Sequence, residues 1–290
     1  MKRFRVGFTD NHLSALLIVW RLINATSDSV AKSQNMPKLA NYWKRYLNDL
    51  HSEGLVTSKL IHSTSRTGKG GRRLGEFFAL TEKGAETIAE TLNIEPETVF
   101  FPPGGIQSKS PFQFPHRAML IQLFAMFLGY EKSSEGRFKV LDLVPEYRYI
   151  GSNRLGTGRK ATRVTVAGES IIPDGIVRFR AGEAVRLATV EFHRETDTRR
   201  IIEQLQKHAL ATDKKSFSEM FNHPHSNYVL SVYDDPLKLK NVQERIMAGE
   251  FPNFEKYAPG YHFASLDDIF TLGVNKAFFQ LSGKKSEIFI

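Results

Sequence analysis

Two carboxylates lie near the ends of two apolar segments in the second half of the chain. Asp174 stands in the run Ile171-Ile172-Pro173-Asp174-Gly175, and Glu191 stands in the run Val190-Glu191-Phe192-His193. Neighbouring carboxylates repel each other unless a cation lies between them, and Mg²⁺ and Mn²⁺ are hard ions that prefer oxygen ligands. Such an ion generates hydroxide and stabilises charge on a phosphate during transfer. The pair therefore predicts a divalent-metal site for phosphodiester chemistry.

A short turn must bring the two segments together. The stretches Gly175 to Arg180 and Ala184 to Phe192 are rich in Val, Ile, Phe and Thr, so the region predicts a β-hairpin. Two other interpretations stay open, because Pro-Asp-Gly is also a common turn sequence and a glutamate on a strand can simply face water.

The expected register of this hairpin fixes the geometry of the pair. A two-residue loop of Ala181 and Gly182 would place Asp174 opposite Thr189. Because side chains alternate with period two along a strand, Asp174 and Glu191 would then be diagonal neighbours, about 7 to 8 Å apart. A single divalent ion spans that distance, whereas a one-residue bulge would turn one carboxylate to the other face.

The composition favours a polyanionic partner. The chain has 290 residues, enough for two domains, and its 40 Lys and Arg against 31 Asp and Glu give a net charge of +9. This excess favours nucleic acid. The absence of cysteine excludes disulfides and thiolate zinc sites and fits a reducing cytosol. The longest apolar run, Ala118 to Tyr130, is too short to span a bilayer, so we expect a soluble cytoplasmic protein with no membrane partner.

The N-terminal third predicts three helices. The segments His12 to Asn24, Ser27 to Lys32 and Pro37 to Ser52 carry apolar residues at helical spacing. In the third helix, we expect the core to take Leu39, Tyr42, Tyr46, Leu47 and Leu50. The same spacing turns Lys38, Lys44 and Arg45 toward solvent.

A glycine-rich basic hairpin follows these helices. Lys59 to Arg73 carries no acidic residue, Phe77 to Leu80 predicts the returning strand, and Thr81 can cap a helix from Glu82 to Leu92. Three helices and such a hairpin predict a winged helix-turn-helix, whose third helix enters a DNA groove while the wing lies along the phosphates. The expected DNA contacts in this region are Lys38, Lys44, Arg45, Lys59, Arg66, Lys69, Arg72 and Arg73.

Proline and glycine mark the boundary between two predicted domains. Residues 99–115 read as a linker, which leaves a winged-helix domain at residues 1–98 and a second domain at residues 116–290. In the second domain, the loop between Glu146 and Arg163 either lies on DNA through Arg154, Arg159 and Lys160 or is a plain surface loop.

The remaining pattern predicts a mixed sheet flanked by helices. An apolar helix opens the second domain, an amphipathic helix runs from Thr198 to Leu210, and apolar strands follow at Asn227 to Tyr233 and Tyr261 to Ala264. Lys207 of the amphipathic helix could reach back over the carboxylates or pair with Glu203 in solvent. We therefore expect an α+β or α/β chain, a winged helix-turn-helix followed by a restriction-endonuclease-like domain.

The acidic motifs carry a family resemblance. Pro173-Asp174 with Glu191-Phe192-His193 resembles the PD-(D/E)xK nuclease signature, and the chain as a whole resembles the plasmid replication-relaxation family, including mobilisation relaxases that use a restriction-endonuclease-like domain. The resemblance implies a metal-dependent nuclease and double-stranded DNA at an origin as partner. It also implies contact with other plasmid transfer or replication proteins, and a homodimer is possible.

One position departs from the family pattern. His193 stands where the lysine usually stands, so the positive group must come from elsewhere, and Lys207 is the natural candidate. His193 itself is a ligand, a proton shuttle or a packed strand residue. Glu146 is a weaker candidate ligand, Glu195 and Asp197 are possible third carboxylates, and Asp197 could equally cap the next helix.

Two functions of different class follow. The first is a DNA-nicking enzyme in which Asp174 and Glu191, with Glu146 as a further ligand, hold Mg²⁺ or Mn²⁺ and in which His193 and Lys207 assist catalysis. The second is a non-catalytic DNA-binding regulator or replication accessory protein whose nuclease-like fold has lost its site.

Overall fold

A computed structural model of the chain describes residues 7–63, 73–102, 106, 113–150, 158–194 and 197–290. The chain divides into two compact units, Met1–Lys132 and Ser133–Ile290. They are called unit 1 and unit 2 below.

Unit 1 is mainly helical, with one β-hairpin. Its helices are α1 (Asp10–Leu22), α2 (Ser27–Ser33), α3 (Ala40–Ser52), α4 (Glu82–Leu92) and α5 (Phe114–Ser133, whose last residue belongs to unit 2). Strands β1 (Val56–His62) and β2 (Arg73–Leu80) pair antiparallel, with Val56 opposite Leu80. The predicted cap of α4 is confirmed, because the Thr81 hydroxyl accepts a hydrogen bond from the Gly84 backbone N–H at 3.1 Å.

The inward face predicted for the third helix is partly wrong. Trp43, Tyr46, Leu47 and Leu50 are buried, but the exposed fractions of Leu39 and Tyr42 are 45 % and 38 %. For Leu39, the physical reason is that Pro37–Leu39 forms a separate 3₁₀ turn before α3, which changes the direction in which its side chain points.

Gly84 shows how closely α4 packs on the hairpin. A Cβ added at this position would lie 2.0 Å from the carbonyl oxygen of Leu55, a backbone atom that cannot rotate away. We expect Gly84→Ala to lower the free energy of unfolding by about 3 kcal/mol, at the upper end of the usual cost of overpacking.

Urea denaturation followed by tryptophan fluorescence tests this expectation. Both tryptophans of the chain, Trp20 and Trp43, lie in unit 1 with Gly84. Gly7→Ala is the matched control, because a Cβ at Gly7 meets nothing within 4 Å. Equal midpoints for the two variants would contradict the packing account.

Unit 2 is a mixed α/β unit. Its helices are α6 (Thr198–Asp213), α7 (Ser216–Met220), α8 (Pro236–Arg245), α9 (Phe254–Tyr257), α10 (Leu266–Leu272) and α11 (Val274–Ala277). Its longer strands are β3 (Phe138–Pro145), β8 (Gly175–Ala181), β9 (Ala184–His193), β10 (Tyr228–Tyr233) and β11 (Tyr261–Ser265). Its short strands are β4 (Tyr149–Ile150), β5 (Arg159–Lys160), β6 (Val164–Val166) and β7 (Glu169–Ile171).

The longer strands form one mixed sheet. The order is β11-β10-β9-β8-β3, in which β10 runs parallel to β9 and β11, while β8 runs antiparallel to β9 and β3. Helices α6 and α8 pack on one face over a core that includes Leu205, Val229, Tyr233 and Phe263. The predicted mixed sheet with flanking helices is confirmed at this level of detail.

The hairpin between β8 and β9 differs from the predicted register. The loop residues are Gly182 and Glu183, and Ala181 pairs with Ala184. Gly182 has a φ of 56° and is the first loop residue, so glycine alone takes the left-handed conformation. A loop of Ala181 and Gly182 would have required a positive φ at Ala181 as well, and this conformation is unfavourable for a residue with a Cβ.

The helix predicted from His116 to Leu128 is longer in the structure, where α5 covers 20 residues. Its buried residues lie on several sides of the helix, as an almost wholly apolar sequence predicts. Among the residues that the structure describes, no helix combines the length and the apolar character needed to cross a membrane.

Candidate functional site

Three carboxylates meet at one end of the sheet of unit 2. Pro145 pairs with Gly175, and Gly175 pairs with Val190, so one step further along each strand brings Glu146, Asp174 and Glu191 side by side. The backbone N–H of Glu146 donates to the carbonyl oxygen of Asp174 at 2.8 Å, which continues the pairing. We call these three residues the acidic row.

The shift of the hairpin by two residues keeps the predicted faces. An odd shift would have put Asp174 and Glu191 on opposite sides of the sheet, whereas a shift of two only moves Asp174 from a diagonal position to one directly across from Glu191. The two acids are therefore brought together, and Glu146 joins them from the next strand.

Asp174 and Glu146 are half-buried members of the row. Asp174 directly precedes β8, and its Oδ2 atom accepts a hydrogen bond from the Phe192 backbone N–H of β9 at 2.7 Å. The Glu146 Oε2 atom pairs with the ammonium of Lys160 on β5. Lys160, a predicted DNA contact, therefore lies next to the acidic row.

Glu191 is buried, and two side chains of α6 contact its carboxyl group. Its exposed fraction is 1 %, the Gln204 Nε2 atom donates to its Oε2 atom, and the His208 Nε2 atom lies 2.5 Å from its Oε1 atom. Gln204 and His208 stand four residues apart, so both point from one side of the helix onto the same carboxyl group. Sequence reasoning missed both residues.

The hydrogen bonds around His208 indicate where its proton lies. The Thr189 hydroxyl donates to the carbonyl oxygen of Tyr228 at 3.3 Å, so toward the His208 Nδ1 atom, also at 3.3 Å, it acts as acceptor. With the proton on Nδ1, a neutral His208 offers its Nε2 lone pair to Glu191. Glu191 then donates as a protonated carboxyl group.

Burial favours the same neutral pair. Desolvation raises the pKa of Glu191 well above 4.5, and the charges of Asp174 and Glu146 raise it further. Desolvation lowers the pKa of His208 from 6.5 to about 4, although the Asp174 charge opposes this. Both shifts favour the neutral pair, in which Glu191 carries the proton and His208 is uncharged.

This pair predicts how the stability of unit 2 depends on pH. Between pH 4.5 and 6.5, the unfolded pair holds one proton on the histidine and the folded pair holds one on the glutamic acid, so its contribution is constant. Above pH 6.5 the unfolded pair loses that proton first, and the free energy of unfolding falls by up to about 1.4 kcal/mol per pH unit. Below pH 4.5 the unfolded pair takes up a second proton, and stability falls again.

Hydrogen exchange of β9 peptides at a series of pH values measures this dependence. Glu191→Gln should remove the alkaline decline, because glutamine has no proton to lose, and should leave the behaviour of unit 1 peptides unchanged. An identical alkaline decline in wild type and variant would show that Glu191 is already ionised in the folded protein.

His193 is packed on its strand, one of the three interpretations given for it above, whereas Lys207 lies in an ion pair away from the carboxylates. The His193 Nε2 atom is 3.0 Å from the Ser231 hydroxyl, and the ring centroid lies 4.8 Å from that of Tyr233 with a tilt of 40°, so this β9 histidine is buried against β10. The Lys207 ammonium pairs with Glu169 at 2.9 Å in an exposed ion pair. The prediction that Lys207 reaches over the carboxylates fails in geometry, because Gln204 and His208 occupy the side of α6 that faces Glu191.

The further acids near the helix have other roles. Asp197 caps α6, since its Oδ1 atom accepts from the backbone N–H groups of Arg199 and Arg200 at 3.0 and 3.3 Å. Glu203 pairs with Arg199 and not with Lys207. Glu195 lies outside the described residues.

The donor chemistry of the acidic row suits a hard divalent cation, because three carboxylates from adjacent strands supply only oxygen ligands. Yet the carboxylate oxygens make the contacts described above, and within the described ranges no three acidic, histidine or cysteine side chains are arranged as a preformed metal site. The carboxyl groups of Asp174 and Glu146 are half-buried and could rotate toward a bound ion. Coordination by Glu191 would first require its contacts with Gln204 and His208 to break.

The predicted DNA contacts fall into three groups. Lys38, Arg45, Lys59 and Arg159 are exposed or partly exposed. Lys44 is half-buried, and its ammonium pairs with Glu76 on β2, which turns it from the outward position predicted for it. Arg66, Lys69, Arg72 and Arg154 lie outside the described residues, and Arg73 is described by its backbone alone.

No protein-family model matches this sequence, and no curated protein is significantly similar to it. Among solved structures, the restriction endonuclease FokI is similar at 10% sequence identity over 91% of this chain and 70% of that chain, with a TM-score of 0.26. A TM-score this low does not establish a shared fold.

Proposed function

We propose that this protein is a metal-dependent DNA endonuclease of the relaxase type, which nicks one strand at a plasmid transfer or replication origin. The observation that carries the proposal is the acidic row, in which Glu146, Asp174 and Glu191 meet at one end of three adjacent strands. Carboxylates this close repel one another when all are ionised, a bound cation relieves that repulsion, and oxygen-only ligands favour Mg²⁺ or Mn²⁺.

The proposed assignment of roles follows the contacts. A bound divalent ion would activate water and stabilise charge on the phosphate. Asp174 and Glu146 would hold it from the open side of the row, and Glu191 would complete the site from below. Lys160, whose ammonium already contacts Glu146, is the cation best placed beside a bound phosphate, in place of Lys207.

The topology of unit 2 supports a restriction-endonuclease-like assignment. Two antiparallel strands carry the central acids, α6 follows them directly, and β10 then returns parallel to β9. Membership of the plasmid replication-relaxation family is proposed from the sequence motifs, Pro173-Asp174 with Glu191-Phe192-His193, and contacts with other plasmid proteins or a homodimer would follow from it.

We propose that unit 1 is a winged helix that binds duplex DNA. Three helices precede the β1–β2 hairpin, in the order of that fold, and the cations Lys38, in the turn before α3, and Arg45, on α3, are exposed. A basic pI near 9.6 supports a polyanionic partner.

A second candidate is a DNA-binding regulator with an inert unit 2. One observation favours it: Glu191 is buried, with both carboxyl oxygens engaged by α6. Calorimetric titration with Mn²⁺ separates the two functions. The nuclease should bind the ion in a reaction that Asp174→Asn abolishes, whereas the regulator should show no heat that depends on Asp174.

The activity is tested with the full chain and supercoiled plasmid carrying the origin from the DNA that flanks its gene. Open circles should form only with Mg²⁺ or Mn²⁺ and should disappear with a chelator. A protein that binds this DNA but leaves it supercoiled in either metal is the regulator and not the nuclease.

A further inference from the structure

The exposed surface of α3 and of the turn before it carries apolar, amide and cationic side chains. Lys38, Asn41, Tyr42 and Arg45 follow one another at helical spacing, and all are exposed. Leu39 lies beside them with 45 % of its surface exposed, and Met36 of the preceding turn has 42 % exposed. We call these six residues the α3 face.

Two members of this face are held in place. The Tyr42 hydroxyl accepts hydrogen bonds from Asn11 at 2.8 Å and from the Tyr46 hydroxyl at 3.0 Å. The Arg45 guanidinium lies over the rings of Tyr42 and Tyr46, at 5.6 and 5.2 Å from their centroids. Tyr42 and Arg45 are therefore preorganised on the helix surface.

Asn41 differs from Tyr42 and Arg45 in its hydrogen bonding. Its carboxamide makes no side-chain hydrogen bond with the part of the chain that the structure describes, although it stands between the fixed Tyr42 and the exposed Lys38. A carboxamide offers a donor and an acceptor side by side, which matches N7 and the N6 amino group of adenine. Exposed Leu and Met side chains match the C5-methyl group of thymine.

We propose that the α3 face reads A·T base pairs in the major groove, with Asn41 on adenine and Leu39 and Met36 on thymine methyl groups. This inference rests on the proposal that unit 1 binds duplex DNA. Charge favours DNA over a second copy of the chain, because the cations Lys38 and Arg45 flank the apolar centre.

Selection from randomised duplexes tests the proposal. The full chain is used with a chelator present, so that binding is measured without cleavage. The selected duplexes should share at least one A·T pair that cannot be exchanged for G·C. Asn41→Ala should weaken binding to the selected duplex by about fivefold or more while leaving binding to random duplex unchanged.

The thymine contact has its own test. Replacing the selected thymine with uracil removes one methyl group and should weaken binding by about threefold for the wild type. The same replacement should have no effect on Leu39→Ala, because its methyl partner is already absent. Leu92→Ala is the control, since Leu92 on α4 is exposed to a similar degree, 42 %, outside the α3 face.

Three results would overturn the inference. Binding without any base preference, or uracil probes bound as tightly as thymine probes at every position, would leave a DNA-binding unit that reads no A·T pair through α3. Concentration-dependent dimers that Leu39→Ala dissociates would assign the apolar surface to a second copy. Absence of binding to every duplex would instead refute the proposed function of unit 1.

Discussion

Asp174→Asn is expected to lower metal-dependent nicking of origin plasmid roughly a thousandfold. A bound metal supplies several kcal/mol of transition-state stabilisation, and each loss of about 1.4 kcal/mol slows a reaction tenfold. Asparagine still offers an oxygen to the Phe192 backbone N–H that Asp174 accepts from at 2.7 Å, so the end of the strand should be preserved. The rate is measured as conversion of supercoiled to open-circular plasmid at saturating Mn²⁺.

Asp142→Asn is the matched control for this variant. Asp142 is a carboxylate of the same unit, paired with Arg178 at 2.6 Å at the surface and outside the acidic row, and such exposed pairs contribute little to stability. Both variants should bind origin duplex as tightly as the wild type does. Nicking by Asp174→Asn at the control rate would remove Asp174 from the site and with it the proposed nuclease function.

His208→Leu is expected to destabilise unit 2 by about 3 kcal/mol. The substitution leaves the buried Glu191 carboxyl group without the Nε2 atom that lies 2.5 Å away, and a buried polar group that loses its partner costs about 1 to 3 kcal/mol, more if it is charged. The contact of the imidazole ring with Phe217 is lost as well. Hydrogen exchange of β9 and β10 peptides in the full chain measures the change.

The double variant Glu191→Leu with His208→Leu provides the decisive comparison. Removing both members of the pair together leaves neither of them without its partner, so the double variant should be less destabilised than the sum of the two single variants by about 1 to 3 kcal/mol. Unit 1 peptides serve as the internal reference. Simple additivity would show that Glu191 and His208 do not interact, contrary to the geometry.

The β8–β9 hairpin shows which structural features the sequence pattern predicts and which it does not. Val, Ile and Phe at strand spacing predicted both strands, and the glycine predicted the turn, but the choice between a loop that starts at Ala181 and one that starts at Gly182 decided the register. The positive φ of Gly182 favours the second. The predicted register differs from the observed one by two residues. Because side chains alternate with period two along a strand, Asp174 and Glu191 still lie on the same face of the sheet, as predicted.

Of the two α6 residues that hold Glu191, the sequence contains a signal for only one. His208 stands at helical spacing from Ile201 and Leu205 on the buried side of α6, and a histidine on an apolar helix face beside an acid-bearing strand is a usable signal. Gln204 gives no such signal, because a half-exposed glutamine fits any helix surface. Lys207 was preferred for its charge, although its place on α6 points it toward Glu169.

Composition and local pattern by themselves determined the nature of the elements: the helix that Thr81 caps, the β8–β9 hairpin, the apolar strand β10, and the presence of Asp174 and Glu191 near one another. These depend on interactions between residues close in the chain, and periodicity records them. Only the tertiary structure decided that Glu146 joins the row, that Lys160 pairs with it, and that α6 closes over Glu191. Those contacts join elements far apart in sequence, and burial in the folded unit, which no local pattern encodes, sets their pairing and protonation.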